Sequence, residues 1–399
     1  MVGTLEAKKL KVLFFTTEDW YFWSHRLLLA RAVRDSGFDV VVVTRVNQHT
    51  DRIKQEGFNL IPIKLERNNK NPFHGLWIIF KLVQIYRRER PDLIHHVAMM
   101  PILYGSWAAK IAGVSTVVNA FTGLGYLFAE RGVGNRFLRR CFCLAYRGTL
   151  SLEHVTAIFQ NPDDIALFSR ETGIPVSSDI ALIRGSGVDL ARFVPTPEPA
   201  GPPLVVFASR MLWDKGVGEF VDAAHRLRKN GVMGRFVLVG ESDRDNPTAV
   251  PSGQLKAWAK QGLVEWWGQK DDMPSVFSQS HVVCLPSYRE GVSKVLIEAA
   301  ACGRAIVTTD APGCREIVRH GENGFLVPVR DTEALARALQ TLIENPGLRA
   351  KMGARSREIA VTEFSSEQVA RETLAVYRQL LGKRSSSNGV RCGEKTNLG

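Results

Sequence analysis

Hydrophobic and polar positions along the chain fall into two successive series of strand-like and helix-like segments. Lys11-Val-Leu-Phe-Phe-Thr-Thr17 is a short β-rich run, and Arg26 to Ser36 reads as a helix ended by Gly37. Val40 to Thr44 is an almost unbroken Val run, the pattern of a strand covered on both faces in a parallel sheet. Leu60-Ile-Pro-Ile63 is a short third strand, Leu76 to Glu89 a helix stopped by Pro91, and Leu93-Ile-His-His-Val97 the next strand. Pro101 to Ala112 is helical and ends at Gly113, before the strand Thr116-Val-Val-Asn119. Such β-α-β alternation predicts a doubly wound parallel sheet.

The pattern restarts after Pro195-Thr-Pro-Glu-Pro-Ala-Gly-Pro-Pro203, whose prolines support neither a helix nor a central strand. Leu204-Val-Val-Phe-Ala208, Arg235-Phe-Val-Leu-Val239, Val282-Val-Cys-Leu285 and Ala305-Ile-Val-Thr-Thr309 predict a second sheet. The expected organisation is α/β: a Rossmann-like domain over 8–195 and a second over 203–365. A helix over 366–382 is expected to pack back on the first, and a disordered tail over 383–399 to follow. Ligands of such sheets bind outside the carboxyl ends of the strands, here in an expected interdomain cleft.

A length of 399 residues agrees with two cores, and 45% hydrophobic with 23% charged residues is a globular composition. The apolar run Leu76 to Phe80 is broken by Lys81, far short of the roughly 18 residues that a spanning helix needs. The first residues lead into a strand without an apolar signal region, so a cytoplasmic protein is expected, peripheral at the inner face of the membrane. Charge sharpens that expectation. The net charge is +12, and up to Val194 there are 25 Lys and Arg against 17 Asp and Glu, so the excess lies mainly in the first half. An anionic partner follows: nucleic acid, a phospholipid surface or a diphosphate-bearing substrate. No nucleic-acid motif is present, which favours the last two. The six cysteines include no C-x-x-C pair; they read as reduced and buried, with no metal site.

The richest chemistry lies in Pro286-Ser-Tyr-Arg-Glu-Gly-Val-Ser-Lys-Val-Leu-Ile-Glu-Ala-Ala-Ala-Cys-Gly303. A strand ends at Pro286, a loop carries Glu290 and Gly291, and a helix begins near Ser293. One carboxylate lies in the loop and a second, Glu298, inside the helix; carboxylates accept hydrogen bonds from sugar hydroxyls and from a ribose diol. The helix start between them favours a diphosphate, and Gly291 lets backbone approach a ligand closely. The spacing Glu290-x7-Glu298 in this setting resembles the donor motif of family-4 retaining glycosyltransferases of the GT-B fold. Arg210 with Lys215-Gly216, Leu238-Val-Gly240, Thr309-Asp-Ala-Pro-Gly313, Glu316-Ile-Val318, Asn323-Gly-Phe-Leu-Val-Pro328 and Gly187-Val-Asp189 with Phe193 and Pro195 match in order. The resemblance spans roughly residues 183 to 365. It implies GT-B architecture, with Glu290 and the backbone of Gly291 and Val292 on the donor sugar beside Ser293. It also implies Glu298 on the nucleotide ribose, and Arg210 and Lys215 on the diphosphate. Two fixed cations and a helix N-terminus stabilise a departing nucleoside diphosphate without a metal, and no cofactor is implied.

The first half is less legible. Its opening strand runs into Glu18-Asp-Trp-Tyr-Phe-Trp-Ser-His-Arg26, which resembles a subset of the family acting on lipid-linked bacterial oligosaccharides and polysaccharide precursors. Trp20, Phe22 and Trp23 either line an acceptor cleft or anchor the next helix, and His25 is a candidate hydrogen-bonding group there. Thr122, in Ala120-Phe-Thr-Gly-Leu-Gly-Tyr-Leu-Phe128, stands where many relatives carry a histidine; Thr122, His95 or His96 are candidates to replace it. Gly123 and Gly125 read as a turn, and Gly123 is with Thr122 also a candidate residue of the acceptor cleft. Arg136, Arg139, Arg140 and Arg147, among Phe137, Leu138, Phe142, Leu144 and Tyr146, read as a basic aromatic helix suited to an anionic membrane surface or an acceptor diphosphate.

The sequence thus predicts a retaining transferase moving a hexose or N-acetylhexosamine from a nucleoside diphosphate, UDP first, to a polyprenyl-diphosphate-linked saccharide or glycolipid. Two rivals share the architecture: a non-hydrolysing UDP-sugar 2-epimerase and a non-catalytic nucleotide-sugar-binding protein. A dinucleotide-dependent dehydrogenase is excluded because no G-x-G-x-x-G follows either opening strand.

Overall fold

The structure, a computed structural model, describes residues 9–65, 72–124, 133–149, 152, 154–175, 179–243 and 246–393, without the side chains of 72, 133–138 and 385–393. Two compact units divide it: the chain up to Ile183 together with the segment from Val369, and Arg184–Gln368.

In the first unit β1 (Lys11–Glu18), α1 (Asp19–His25), α2 (Leu27–Asp35), β2 (Asp39–Arg45), α3 (Thr50–Gln55) and β3 (Asn59–Pro62) lead to α4 (Pro72–Glu89). β4 (Leu93–Val97), α5 (Met99–Ala112), β5 (Thr116–Ala120), α6 (Val133–Arg147), β6 (His154–Phe159), α7 (Pro162–Thr172) and β7 (Ile180–Leu182) follow. The strands form one sheet in the order β3-β2-β1-β4-β5-β6-β7, and every pairing is parallel. Because successive strand side chains point to opposite faces, Val12 and Phe14 enter one core while Leu13 and Phe15 enter the other. Both faces are covered, which accounts for the unbroken apolar runs.

In the second unit β8 (Leu204–Ala208), a 3₁₀ turn at Trp213–Lys215, α8 (Val217–Lys229), β9 (Arg235–Val239), α9 (Ser252–Lys260) and β10 (Glu265–Gly268) come first. Then follow α10 (Met273–Ser278), β11 (Val282–Leu285), α11 (Lys294–Ala301), β12 (Ala305–Thr309), β13 (Gly324–Val327), α12 (Thr332–Glu344) and α13 (Pro346–Glu363). The sheet order is β10-β9-β8-β11-β12-β13, again wholly parallel. Strand order reverses between β8 and β11, the position at which a doubly wound sheet opens a crevice for its ligand.

The last helix, α14 (Ser366–Gly393), buries Val369, Ala370, Leu374, Tyr377 and Leu380 in the core formed by Phe14, Phe22, Ala30 and Val33. It continues well beyond Gly382, where a tail without structure was expected, as far as Gly393; residues 394–399 lie outside the described residues. The first unit also ends earlier than the expected residue 195. Val188 and Phe193 are buried in the core of the second unit, and Val188 exchanges backbone hydrogen bonds with Phe364 and Ser366 at 2.9 Å each. Arg349 fixes the proline-rich segment by donating to Glu198 at 2.8 Å. The prolines mark the approach to β8, and the boundary between the cores precedes them.

Candidate active site

Two loops leave the second sheet at its reversal point. The loop after β8 carries Arg210 and Lys215, and the loop after β11 carries Glu290. Lys215 Nζ donates to Glu290 Oε1 at 2.7 Å, with both side chains mostly buried. Backbone contacts bring the loops this close: Tyr288 N donates to the Asp214 carbonyl at 2.9 Å. Gly216, at φ +76°, lies so near that an added Cβ would sit 2.2 Å from the Pro286 carbonyl oxygen. Only glycine meets both the left-handed conformation and that approach. From below, the loop after β12 supports the Glu290 loop. Glu290 N donates to the Pro312 carbonyl at 2.9 Å, and a Cβ on Gly313 would meet the carbonyl oxygens of Glu290 and Gly291 at 2.4 Å each.

Glu298 is buried within α11 and pairs with Lys294 at 3.2 Å, one helical turn earlier. No side chain caps α11 at Ser293, and the positive end of the helix follows directly on Gly291-Val-Ser293. Arg210 is half-exposed and held by Asp243 at 2.7 Å. The structure therefore joins Lys215 to Glu290 directly, places Glu298 on the adjoining helix, and ties Arg210 to a different carboxylate. Burial, with the Glu290 carboxylate second, pushes the Cys314 thiol up to about 12, so the cysteine nearby is a neutral packing residue rather than a nucleophile.

Sequence reasoning passed over Asp243 and gave no role to Lys294 or to Pro312-Gly313, although both stand in segments it singled out. Asp243 follows Gly240 at the carboxyl end of β9, the sheet edge that matters, and its position was the available signal. Lys294 sits four residues before Glu298, the spacing of helical ion pairs.

In the first unit the aromatic segment divides by role. Phe22 is a core residue, whereas Trp20 and Trp23 are half-buried. His25 stacks on Tyr21 at 4.3 Å and lies 3.0 Å from Ser24 Oγ. Thr122 and Gly123 are half-buried in the loop after β5, Gly123 at φ +112°; Gly125 lies outside the described residues. His95 and His96 are corrected as candidates for the missing histidine. Both are buried within β4. His96 bonds Asn119 Oδ1 at 2.9 Å and Tyr86 Oη at 3.1 Å, and burial pushes its pKa down to about 4. His95 bonds Tyr377 Oη, and burial, then the nearby Arg26 charge, holds it well below the usual histidine range. These are neutral structural histidines.

The basic helix divides by face. On α6, Phe142, Cys143 and Tyr146 are buried and Arg140, Leu144 and Arg147 exposed. Arg139, only 17% exposed, pairs with Glu171 of α7 at 3.0 Å. The Arg136, Phe137 and Leu138 side chains lie outside the described residues.

Comparison with known proteins gives a consistent result. Residues 11–161 match the family model described as Glycosyl transferase 4-like, and residues 202–345 the one described as Glycosyl transferases group 1. The N,N'-diacetylbacillosaminyl-diphospho-undecaprenol alpha-1,3-N-acetylgalactosaminyltransferase of Campylobacter jejuni is 26% identical over 369 residues, 89% of this chain and 95% of that protein. Among solved structures, a glycosyltransferase from Rickettsia africae aligns over 94% of this chain and 99% of its own, with a TM-score of 0.75 and 18% identity. Anabaena HepE in complex with UDP aligns over 93% and 100%, with a TM-score of 0.75 and 18% identity. Two parallel Rossmann-like sheets, a family match on each and the loop geometry at the second sheet's reversal point make this chain a member of the family-4-like, group 1 glycosyltransferases of the GT-B fold.

Proposed function

We propose that the protein is a retaining transferase that moves a hexose or N-acetylhexosamine from a nucleoside diphosphate, UDP first, to a polyprenyl-diphosphate-linked saccharide. The observation that carries this reading is the Lys215–Glu290 pair at 2.7 Å, set where the second sheet reverses its strand order. Glu290 accepts from donor-sugar hydroxyls, Glu298 from the ribose, and Lys215 and Arg210 turn to the diphosphate as its charge develops. In the transfer step the bond between the sugar C1 and the phosphate oxygen breaks, and a bond from C1 to the acceptor hydroxyl oxygen forms on the same face. The acceptor proton passes to the leaving phosphate. Charge builds on that phosphate, where two cations and the start of α11 stabilise it. The name of the Campylobacter relative, which specifies a diphospho-undecaprenol acceptor, supports the lipid-linked acceptor, and the UDP complex of HepE supports the nucleotide.

The test is transfer of labelled sugar from a panel of nucleotide sugars to an undecaprenyl-diphosphate-linked extract, with the anomeric configuration of product and donor compared. Transfer with retained configuration is expected. Turnover of UDP-sugar without acceptor, releasing its 2-epimer, would instead establish the epimerase.

A further inference from the structure

We infer that the outer face of α4 docks on an anionic lipid bilayer through Phe73, Leu76, Trp77 and Phe80, with Lys81, Arg87 and Arg88 on the headgroups. For its purpose this inference rests on the lipid-linked reading of the acceptor; its evidence is independent of it. The four apolar residues are 72%, 63%, 39% and 57% exposed. At positions i, i+3, i+4 and i+7 they form one stripe along the helix. The opposite face is already committed, because Ile78, Leu82, Val83, Ile85 and Tyr86 are buried against the sheet. A helix covering a sheet normally turns a polar face outward, and a contiguous exposed apolar stripe marks a contact surface.

Charge selects the occupant. Towards the C-terminal end of α4 the outer face changes to Gln84, Arg87 and Arg88, all exposed. Lys81 Nζ lies 6.0 Å from the centre of the Trp77 ring, leaving its charge beside the stripe. Arg87 donates to the Ile111 carbonyl at 3.2 Å, which adds exposed Ile111 and neighbouring Lys110 of α5 to the surface. The sole carboxylate of α4, Glu89, is paired with both Lys11 at 3.3 Å and Arg88 at 3.0 Å. An apolar stripe beside a basic rim is the composition of helices that lie in the interface of an anionic leaflet. A second copy of the chain supplies the rim with no unpaired carboxylate from its own α4.

The test is co-sedimentation with phosphatidylcholine vesicles, with and without phosphatidylglycerol, in the absence of any sugar nucleotide. Wild type should bind the anionic vesicles at least tenfold more tightly than the neutral ones and release at high salt. Phe73→Asn, Leu76→Asn and Phe80→Asn together should cut binding at least tenfold with an unchanged melting temperature, since these side chains face solvent; Phe80→Asn alone gives a milder form. Arg87→Gln with Arg88→Gln should erase the preference for anionic lipid. Wild type that ignores vesicles, variants that bind as wild type does, or a dimer dissolved by the same substitutions would each overturn the inference. Failure of the glycosyl-transfer assay leaves these results untouched, so the two readings are separable. If both hold, the triple variant should lose transfer to bilayer-embedded acceptor while retaining transfer to a short water-soluble one.

Discussion

Lys215 and Glu290 each leave the other exposed to a specific penalty when removed. Lys215→Ala strips the diphosphate of one cation and Glu290 of its partner, whereas Arg210→Ala leaves Asp243 to reorganise at a half-exposed position. Both should lower turnover by about 2–4 kcal/mol of transition-state stabilisation, as expected for loss of one electrostatic group, with Lys215→Ala the more severe; steady-state kinetics with excess donor measures this. Glu298→Gln should weaken UDP binding by calorimetry, while Glu290→Gln should leave UDP bound and slow transfer. Equal behaviour of these two variants contradicts their separate roles. The carboxylates were legible in the sequence because loop and helix are contiguous there. The Pro312-Gly313 support and the Asp243 partner were not, because each comes from another strand end and only parallel pairing brings it near. His95 and His96 misled for the same reason: two histidines in a row are unremarkable until both faces of β4 are covered.

At the level of elements, burial decides which helix does what. On α6 the arginines divide by face, so Arg139→Gln should leave vesicle binding unchanged and lower stability by no more than about 1 kcal/mol, the range of partly exposed ion pairs. On α14, Tyr377 closes the first core and bonds His95. Tyr377→Phe should cost about 1–3 kcal/mol, because it leaves a buried histidine nitrogen without its partner; urea unfolding measures it. The strands β1 to β5, β8, β9, β11 and β12 were readable, since their apolar runs and Gly and Pro stops are local; β6, β7, β10 and β13 were passed over. The outer face of α4 was not readable, because its apolar positions are continuous with the inner ones, and only the packed sheet shows which side is left uncovered.

At the level of the molecule, the buried histidines set an acid limit on the first unit. His96 titrates near 6.5 when unfolded and is held down to about 4 when folded. Above 6.5 both states are neutral and nothing is lost; as pH falls from 6.5 towards 4 the unfolded chain takes up the proton and the folded one does not. The first unit should therefore lose on the order of 3 kcal/mol across that window from this residue, with His95 acting in the same direction. Denaturant melts between pH 7.5 and pH 4.5 should show stability falling as pH falls; a flat profile contradicts the assignment of neutral buried imidazoles.

The path of the chain has a consequence for biosynthesis. The second unit is one uninterrupted stretch, Arg184–Gln368, whereas the first is closed by a helix that follows it. On the ribosome the second unit can complete its core as it emerges, while the earlier one waits with Phe14, Phe22 and Val33 uncovered by Tyr377 and Leu380. Domains usually mature in the order of synthesis; here the half made first finishes last. Nascent chains stalled on a linker long enough to bring Ser365, but not α14, out of the exit tunnel should therefore resist protease over the second unit and remain cleavable in the first, and protection of the first should appear once α14 has cleared the tunnel as well.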